Sequence, residues 1–315
     1  ASLVVDEIAM ILSYGIDRVN IADDLFVSDR KKVREVCEEI QRRGLRFTWS
    51  AFARVNTVDR ETLEIMKRTG CDSISFGVES GNPEMLARIK KRITLDQVRR
   101  AVSLCNEVGI LAHTSFVVGL PGESPQTLED TDKFASSLGS LYGYHILAPF
   151  PGTTVREEVA KYDLEILTDD WTQYDASRAI TRTSRLAPED INAFVDRFEG
   201  EIMAGWRRQV RNYQTSANTP EEDLLVAGYF RTQFVYRLLS EDLIERLGRA
   251  GDGGGEAVSR EQLCRLLIAE TESDDSLARR TIDDFIAKGF LKDERSGKKC
   301  PWYWTHNNRI DVLPG

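Results

Sequence analysis

Five short stretches hold the residues of this chain whose types and spacing could do chemistry: Ala22-Asp-Asp-Leu-Phe26, Trp49-Ser50 followed by Arg54, Phe76-Gly-Val-Glu-Ser-Gly81, Val118-Gly-Leu-Pro-Gly-Glu-Ser124 and Ala148-Pro-Phe-Pro-Gly-Thr153. They supply carboxylates, a guanidinium, glycine backbone amides and an apolar wall. Carboxylates can hold an ammonium group or a ribose diol, and an arginine can fork onto a carboxylate. Glycines let a flat base come close to the backbone. That set suits a zwitterionic amino acid attached to a nucleoside. Singly, each stretch has a plainer reading. Asp23-Asp24 reads equally as a turn or helix cap, Glu79-Ser80-Gly81 as a capping turn, Gly119 to Ser124 as a tight turn feeding a helix, and Arg54 as a surface cation. The chemical reading requires a fold that brings them to one place.

The elements between these stretches suggest such a fold. Apolar residues at helical spacing (Leu3, Val4, Ile8, Ile11, Leu12) predict a first helix over 3–14. Strands are expected at 18–23, 46–52, 73–77, 110–118 and 143–148, each followed by a helical pattern. Asp59 and Thr94 are placed to cap two of the helices, and Gly44, Gly70 and Gly109 to end three of them. Strand centres roughly 26 to 39 residues apart are the spacing of βαβ units, whose crossovers make neighbouring strands parallel. In a parallel α/β sheet or barrel, ligands sit at the C-terminal ends of the strands. All five stretches are strand ends. Past residue 165 the alternation stops. Long helices are expected at 187–212 and 219–239. After the Asp252-Gly-Gly-Gly255 break, helices at 259–269 and 274–287 and two short strands near 290 and 302 make a small winged-helix-like unit. The expected division is 1–165, 166–250 and 256–315.

Composition narrows the function. With 42 basic and 51 acidic residues the net charge is −9, a field that repels phosphates and argues against nucleic acid as a partner. No run of about 18 uncharged apolar residues occurs, so no membrane span is expected. The first twelve residues carry Asp6 and Glu7 and do not read as a signal peptide. The five cysteines, Cys37, Cys71, Cys105, Cys264 and Cys300, are isolated from one another. They suggest buried thiols in a reducing cytoplasm, with neither a disulfide framework nor a metal site among them.

The ordered series VNIADDLF, FTWSAFARV, GCDSISFGVESG, SFVVGLPGES and YHILAPFPGT resembles the radical S-adenosylmethionine (radical SAM) superfamily, and most closely the branch associated with a cobalamin-binding domain. The resemblance covers about residues 1–175, including Asp169-Asp-Trp171. It implies a partial parallel (β/α)6 TIM-like barrel, here lacking its first strand, followed by the helical extension and its winged-helix-like end. It implies S-adenosylmethionine as cofactor, cleaved by a [4Fe–4S] cluster to a 5′-deoxyadenosyl radical, with cobalamin on an upstream domain as a candidate methyl carrier. By resemblance, Asp23 and Asp24 face the methionyl ammonium and Arg54 the carboxylate. Glu79 and Ser80 match the ribose motif, Gly119 and Gly122 the glycine motif near adenine, and Ile146 and Leu147 an apolar wall for the base. Each charge-assisted bond of this kind contributes on the order of 1.5–3 kcal/mol.

The resemblance has one departure. The family holds its cluster with a CxxxCxxC loop after the first barrel strand, and this chain has no such motif. The helix over 3–14 corresponds to the one that follows that loop, so the cluster ligands are expected upstream of Ala1. Cluster assembly needs thiolates. The expected function is the core of a radical SAM enzyme, carrying out radical methylation or another C–H functionalisation on a small-molecule or natural-product-like substrate. The competing expectation is a cluster-less scaffold or regulator. His113 and His145 fall on strands, where a core or substrate-facing role is expected ahead of a catalytic one. Tyr142, Tyr144 and Trp171 are read as packing, and Trp302-Tyr-Trp304 as the closure of the tail's small core.

Overall fold

The computed structural model describes residues 1–23, 26–213, 215, 217–248, 258–293 and 302–305. The chain forms two compact units, Ala1–Glu199 and Gly200–Gly315. In the first, the order is α1 (Ser2–Ser13), β1 (Arg18–Ile21), α2 (Arg30–Arg42), β2 (Thr48–Ala53), α3 (Arg60–Arg68), β3 (Cys71–Glu79), α4 (Pro83–Arg88), α5 (Leu95–Val108), β4 (Leu111–Val118), α6 (Pro125–Ser136), β5 (Leu141–Ile146), α7 (Thr154–Glu157), β6 (Glu165–Ile166), β7 (Thr181–Arg182) and the start of α8 (Pro188–Tyr213). β1 to β5 form one sheet in sequence order, and every neighbouring pair is parallel. The fold is therefore α/β, as expected.

Local chemistry explains why the helices start and stop where they do. Asp29 accepts from the Lys31 and Lys32 amides, and Asp59 from the Thr62 amide. Thr94 and Gln97 form a reciprocal capping box at α5, and Gly109 ends that helix at φ 78°. Gly70 has a stricter reason to lack a side chain: its φ is 97°, and a Cβ there would lie 2.0 Å from the Phe47 carbonyl oxygen. The apolar faces of α1, α2, α3, α5 and α6 pack with Trp49, Ala51, Ile74, Phe76, Val78, Ala112 and Phe116 in one core.

Several boundaries differ from expectation. β1 ends at Ile21 and β5 spans Leu141–Ile146, so Asp23 and Leu147 both lie just beyond their strands. The helical pattern that follows the fifth strand breaks at Glu158, whose φ of −118° is not helical, leaving α7 and a separate 3-10 turn, Val159–Lys161. α4 was not foreseen from periodicity, being too short to show one; Asn82 caps it and Pro83 opens it.

The second unit contains the remainder of α8, then α9 (Pro220–Ser240), α10 (Leu243–Leu247), α11 (Arg260–Thr271), α12 (Asp275–Ala287) and an antiparallel pair, β8 (Leu291–Asp293) and β9 (Trp302–Trp304). Trp302 and Trp304 are buried with Phe234, Leu263, Ile282 and Leu291, and the Trp302 indole donates to the Val258 carbonyl. The glycine break at 252–255 and Cys300 lie outside the described residues. Among the described residues no helix is long and apolar enough to cross a membrane.

Candidate functional site

Because the five strands are parallel neighbours in one sheet, their C-terminal ends share one edge of it. Ile21 pairs with Ala51, Ala53 with Phe76, Glu79 with Phe116, and Val118 with Ile146. Asp23, Arg54, Glu79, Gly119 and Leu147 therefore lie at that edge, each at or within two residues of a strand terminus. Asp23 is exposed in the loop after β1, where its carbonyl accepts from the Phe26 amide. Asp24 lies outside the described residues.

Glu79 is the centre of the arrangement. It ends β3 at φ 74°, a left-handed conformation rare for a side chain of its size, and the β3–β4 register slips between Gly77 and Glu79. Such strain persists only where the surroundings hold it. The holding group is Lys91, whose Nζ donates to Glu79 Oε1 at 2.6 Å; both side chains are mostly buried, at 19% and 25% exposure. Lys91 sits in the link between α4 and α5, flanked by Lys90 and Arg92 at φ 56° and 58°. Arg54 completes the connection by donating from Nη2 to the Lys91 carbonyl at 2.9 Å and from Nε to Asn56 Oδ1 at 3.3 Å. The ends of β2 and β3 are thus tied through one lysine that the sequence reading did not single out. Its only signal was the cation run Lys90-Lys91-Arg92, which by default reads as a solvated surface.

Ser80 follows Glu79 but faces the helix layer. It is fully buried, its hydroxyl lies 3.1 Å from Thr131 Oγ1, and it accepts from the Asn82 amide. The Gly81 amide also donates to Thr131, and a Cβ on Gly81 would lie 2.6 Å from that of Phe134. These two residues seat β3's end on α6.

The turn after β4 also differs from the expectation that its glycines present free amides. The Gly119 and Leu120 amides both donate to Glu123 Oε2, at 2.6 and 3.2 Å, and the Gly122 amide donates to the Asp163 carbonyl. Pro121 has no N–H. The turn therefore offers a shape without donors: at Gly119, φ is 85°, and the Cβ position lies 3.7 Å from Leu147 Cβ. Ile146 is buried under α8 with Val118, Leu186 and Ile191, so of the expected apolar pair Leu147 is the one beside the turn. Glu123 itself is fully buried, and its Oε1 has no hydrogen-bond partner. Burial pushes its carboxyl up to about 7, against the lowering effect of the two amides.

The sheet face opposite the helices is half-open and carries Ser50, Phe52, Ser75, His113, Ser115, Gly143 and His145. Burial, and then the neighbouring His145, hold the His113 imidazole below its ordinary pKa. Tyr142 and Tyr144 pack with Phe198, and the Tyr144 hydroxyl donates to Asp132; Trp171 packs on Tyr174 and Arg156.

The described cysteines do not form a cluster site. Cys37, Cys71, Cys105 and Cys264 are free and buried on separate elements, and no group of three or more His, Cys, Asp or Glu among the described residues is placed to hold a metal ion. Burial raises the Cys37 and Cys71 thiols and pushes Cys105 up to about 12, which disfavours the thiolates a cluster needs.

Residues 2–135 match the Radical SAM superfamily. The chain is 32% identical over 191 residues to an uncharacterized methyltransferase of Pyrococcus horikoshii, covering 60% of this chain and 41% of that protein. It is 30% identical over 216 residues to the anaerobic magnesium-protoporphyrin IX monomethyl ester cyclase of Cereibacter sphaeroides, covering 67% of this chain and 33% of that protein. Among solved structures, the radical S-adenosylmethionine methyltransferase of Kitasatospora setae with cobalamin and a [4Fe–4S] cluster bound aligns at a TM-score of 0.48 and 22% identity, over 62% of this chain and 37% of that one. The chain thus spans well under half the length of these relatives.

Proposed function

Starting from a chain whose residues 2–135 match the Radical SAM superfamily, we propose that the strand-end edge is the S-adenosylmethionine-binding half of a radical SAM enzyme. The reaction we assign to the whole protein is methylation or another C–H functionalisation of a small molecule through a 5′-deoxyadenosyl radical, in the cytoplasm, with cobalamin as methyl carrier on another domain. The observation that carries the reading is the Arg54–Lys91–Glu79 connection at the common edge of β2 and β3. S-adenosylmethionine presents a ribose diol, a carboxylate, an ammonium and a flat base, and the edge has a partner for each. Glu79 accepts from the diol, Arg54 and Lys91 attract the carboxylate, Asp23 attracts the ammonium, and the Gly119 turn with Leu147 walls the base. Ser80 and Gly122 act indirectly: the Ser80 hydroxyl seats the end of β3 on α6, and Gly122 shapes the turn.

The [4Fe–4S] cluster supplies the electron that cleaves the cofactor, and the described cysteines do not fit it, so its thiolates are assigned to chain outside the described residues. What this chain's residues do is bind, orient and wall off. The test is S-adenosylmethionine affinity by equilibrium dialysis. Glu79→Gln should weaken it about tenfold, the loss of one charge-assisted bond, while Lys32→Gln on α2 should leave it unchanged. Equal affinity in the Glu79 variant would remove the site. A longer chain carrying a cysteine triad should gain cluster absorbance and release 5′-deoxyadenosine. A longer chain that has no such triad would favour the scaffold reading.

A further inference from the structure

Beside the Gly119–Gly122 turn is a small cavity of about 170 Å³, lined by Arg88, Lys90, Pro121, Thr154 and Tyr162 together with two aliphatic side chains. Its polar lining consists of two cations and two hydroxyls and includes no carboxylate. Neither cation has an ion-pair partner among the described residues; in this link it is Lys91 that pairs with Glu79. Backbone geometry sets the place of the Arg88 guanidinium. A Cβ on Gly122 would fall 1.4 Å from Arg88 Nη1, so the guanidinium occupies the room left by that glycine, and Nη1 lies 3.4 Å from the Pro121 carbonyl oxygen. Lys90 is fixed in the left-handed region at φ 56°. Two like charges facing one small space repel each other unless an anion joins them.

We propose that this cavity is an oxyanion subsite that receives a phosphate group of the substrate, separate from the nucleoside site at Glu79 and Arg54. A phosphate offers three acceptor oxygens in a tetrahedral array, which the guanidinium, the ammonium and the hydroxyls can meet together. A carboxylate offers two oxygens in a plane and leaves donors unmatched. Calling the occupant part of the substrate rests on the proposed function; the anion subsite itself rests on the cavity.

The experiment is calorimetric titration of inorganic phosphate into the 315-residue chain at fixed ionic strength, with acetate in parallel. One phosphate should bind per chain, more tightly than acetate. Lys90→Gln and Arg88→Gln should each weaken it by about tenfold, and Lys32→Gln should not. Lys90 is exposed, so its variant tests the site even if Arg88→Gln misfolds. Absence of saturable binding, tighter binding of acetate, or an equal loss in Lys32→Gln overturns the proposal. S-adenosylmethionine titrated into phosphate-saturated protein should bind with unchanged affinity; competition would place both anions in one site and overturn the separation. Glu79→Gln distinguishes the two failures, because it bears on the nucleoside site and leaves the phosphate titration as it was.

Discussion

The two faces of the parallel sheet are made by alternate residues of the same strands, yet they serve different ends. On the helix-covered face Trp49, Ala51, Ile74, Phe76, Val78, Ala112 and Phe116 are buried in one apolar core. On the other face the intervening residues are Ser50, Phe52, Ser75, Gly77, His113 and Ser115, none of them buried. A strand's period of two makes such a division possible. What the difference teaches is that a buried and an open environment are separated by one residue of register, so a change at Phe76 and a change at Phe52 should behave as if made in different proteins.

The largest effect tests that directly. Phe76→Ala should destabilise the fold by about 3–5 kcal/mol, and Phe52→Ala, at 40% exposure, by about 0.5 kcal/mol or less, both from urea denaturation midpoints. Comparable losses would erase the distinction. Glycines sharpen it next. Gly81→Ala drives a methyl to within 2.6 Å of Phe134 Cβ and 2.7 Å of Thr131 Cα and should cost about 1–3 kcal/mol. Gly143→Ala meets nothing nearer than His113 Nε2 at 4.0 Å, so thermal unfolding should move little or upward.

A third comparison concerns pH. Glu123 is buried and its folded-state pKa is raised from 4.5 to about 7. Between those values the folded chain binds the extra proton, so this group's contribution to stability is complete below pH 4.5 and declines as pH rises to about 7. Glu123→Gln keeps an acceptor for the Gly119 and Leu120 amides and should remove that decline. A wild-type midpoint that rises with pH through this window, with the variant flat, would reverse the assignment. The smallest effect belongs to the open face. The His113 imidazole should titrate below its ordinary value by nuclear magnetic resonance, and His145→Ala should move it part of the way back, because burial remains the larger cause.

Much of the first unit was legible in the sequence. Asp59, Thr94 and Gly109 act where local pattern placed them, because capping and left-handed closure involve neighbours within four residues. The five strands were found because apolar runs and turn residues alternate at βαβ spacing. The ends of β1, β3 and β5 lie two residues from where local pattern puts them, since the extent of a strand depends on its pairing with a distant segment. At the site, Glu79, Arg54 and Gly119 were readable as strand-end residues. Lys91 was not, because its role depends on two left-handed neighbours that turn it back toward β3.

By itself the sequence determined the order of elements, the parallel sheet they must form, and the set of polar and glycine residues that such a sheet collects at one edge. Those follow from periodicity and spacing, which are properties of short stretches. Only the tertiary structure decided which way each of those residues faces. Ser80 turns to Thr131, the Gly119 and Leu120 amides are taken by Glu123, and Glu79 meets Lys91 across a slipped register. These are pairings between residues 3 to 51 positions apart, and for the distant ones it is packing of helix on sheet, not any local preference, that brings the partners within hydrogen-bonding distance.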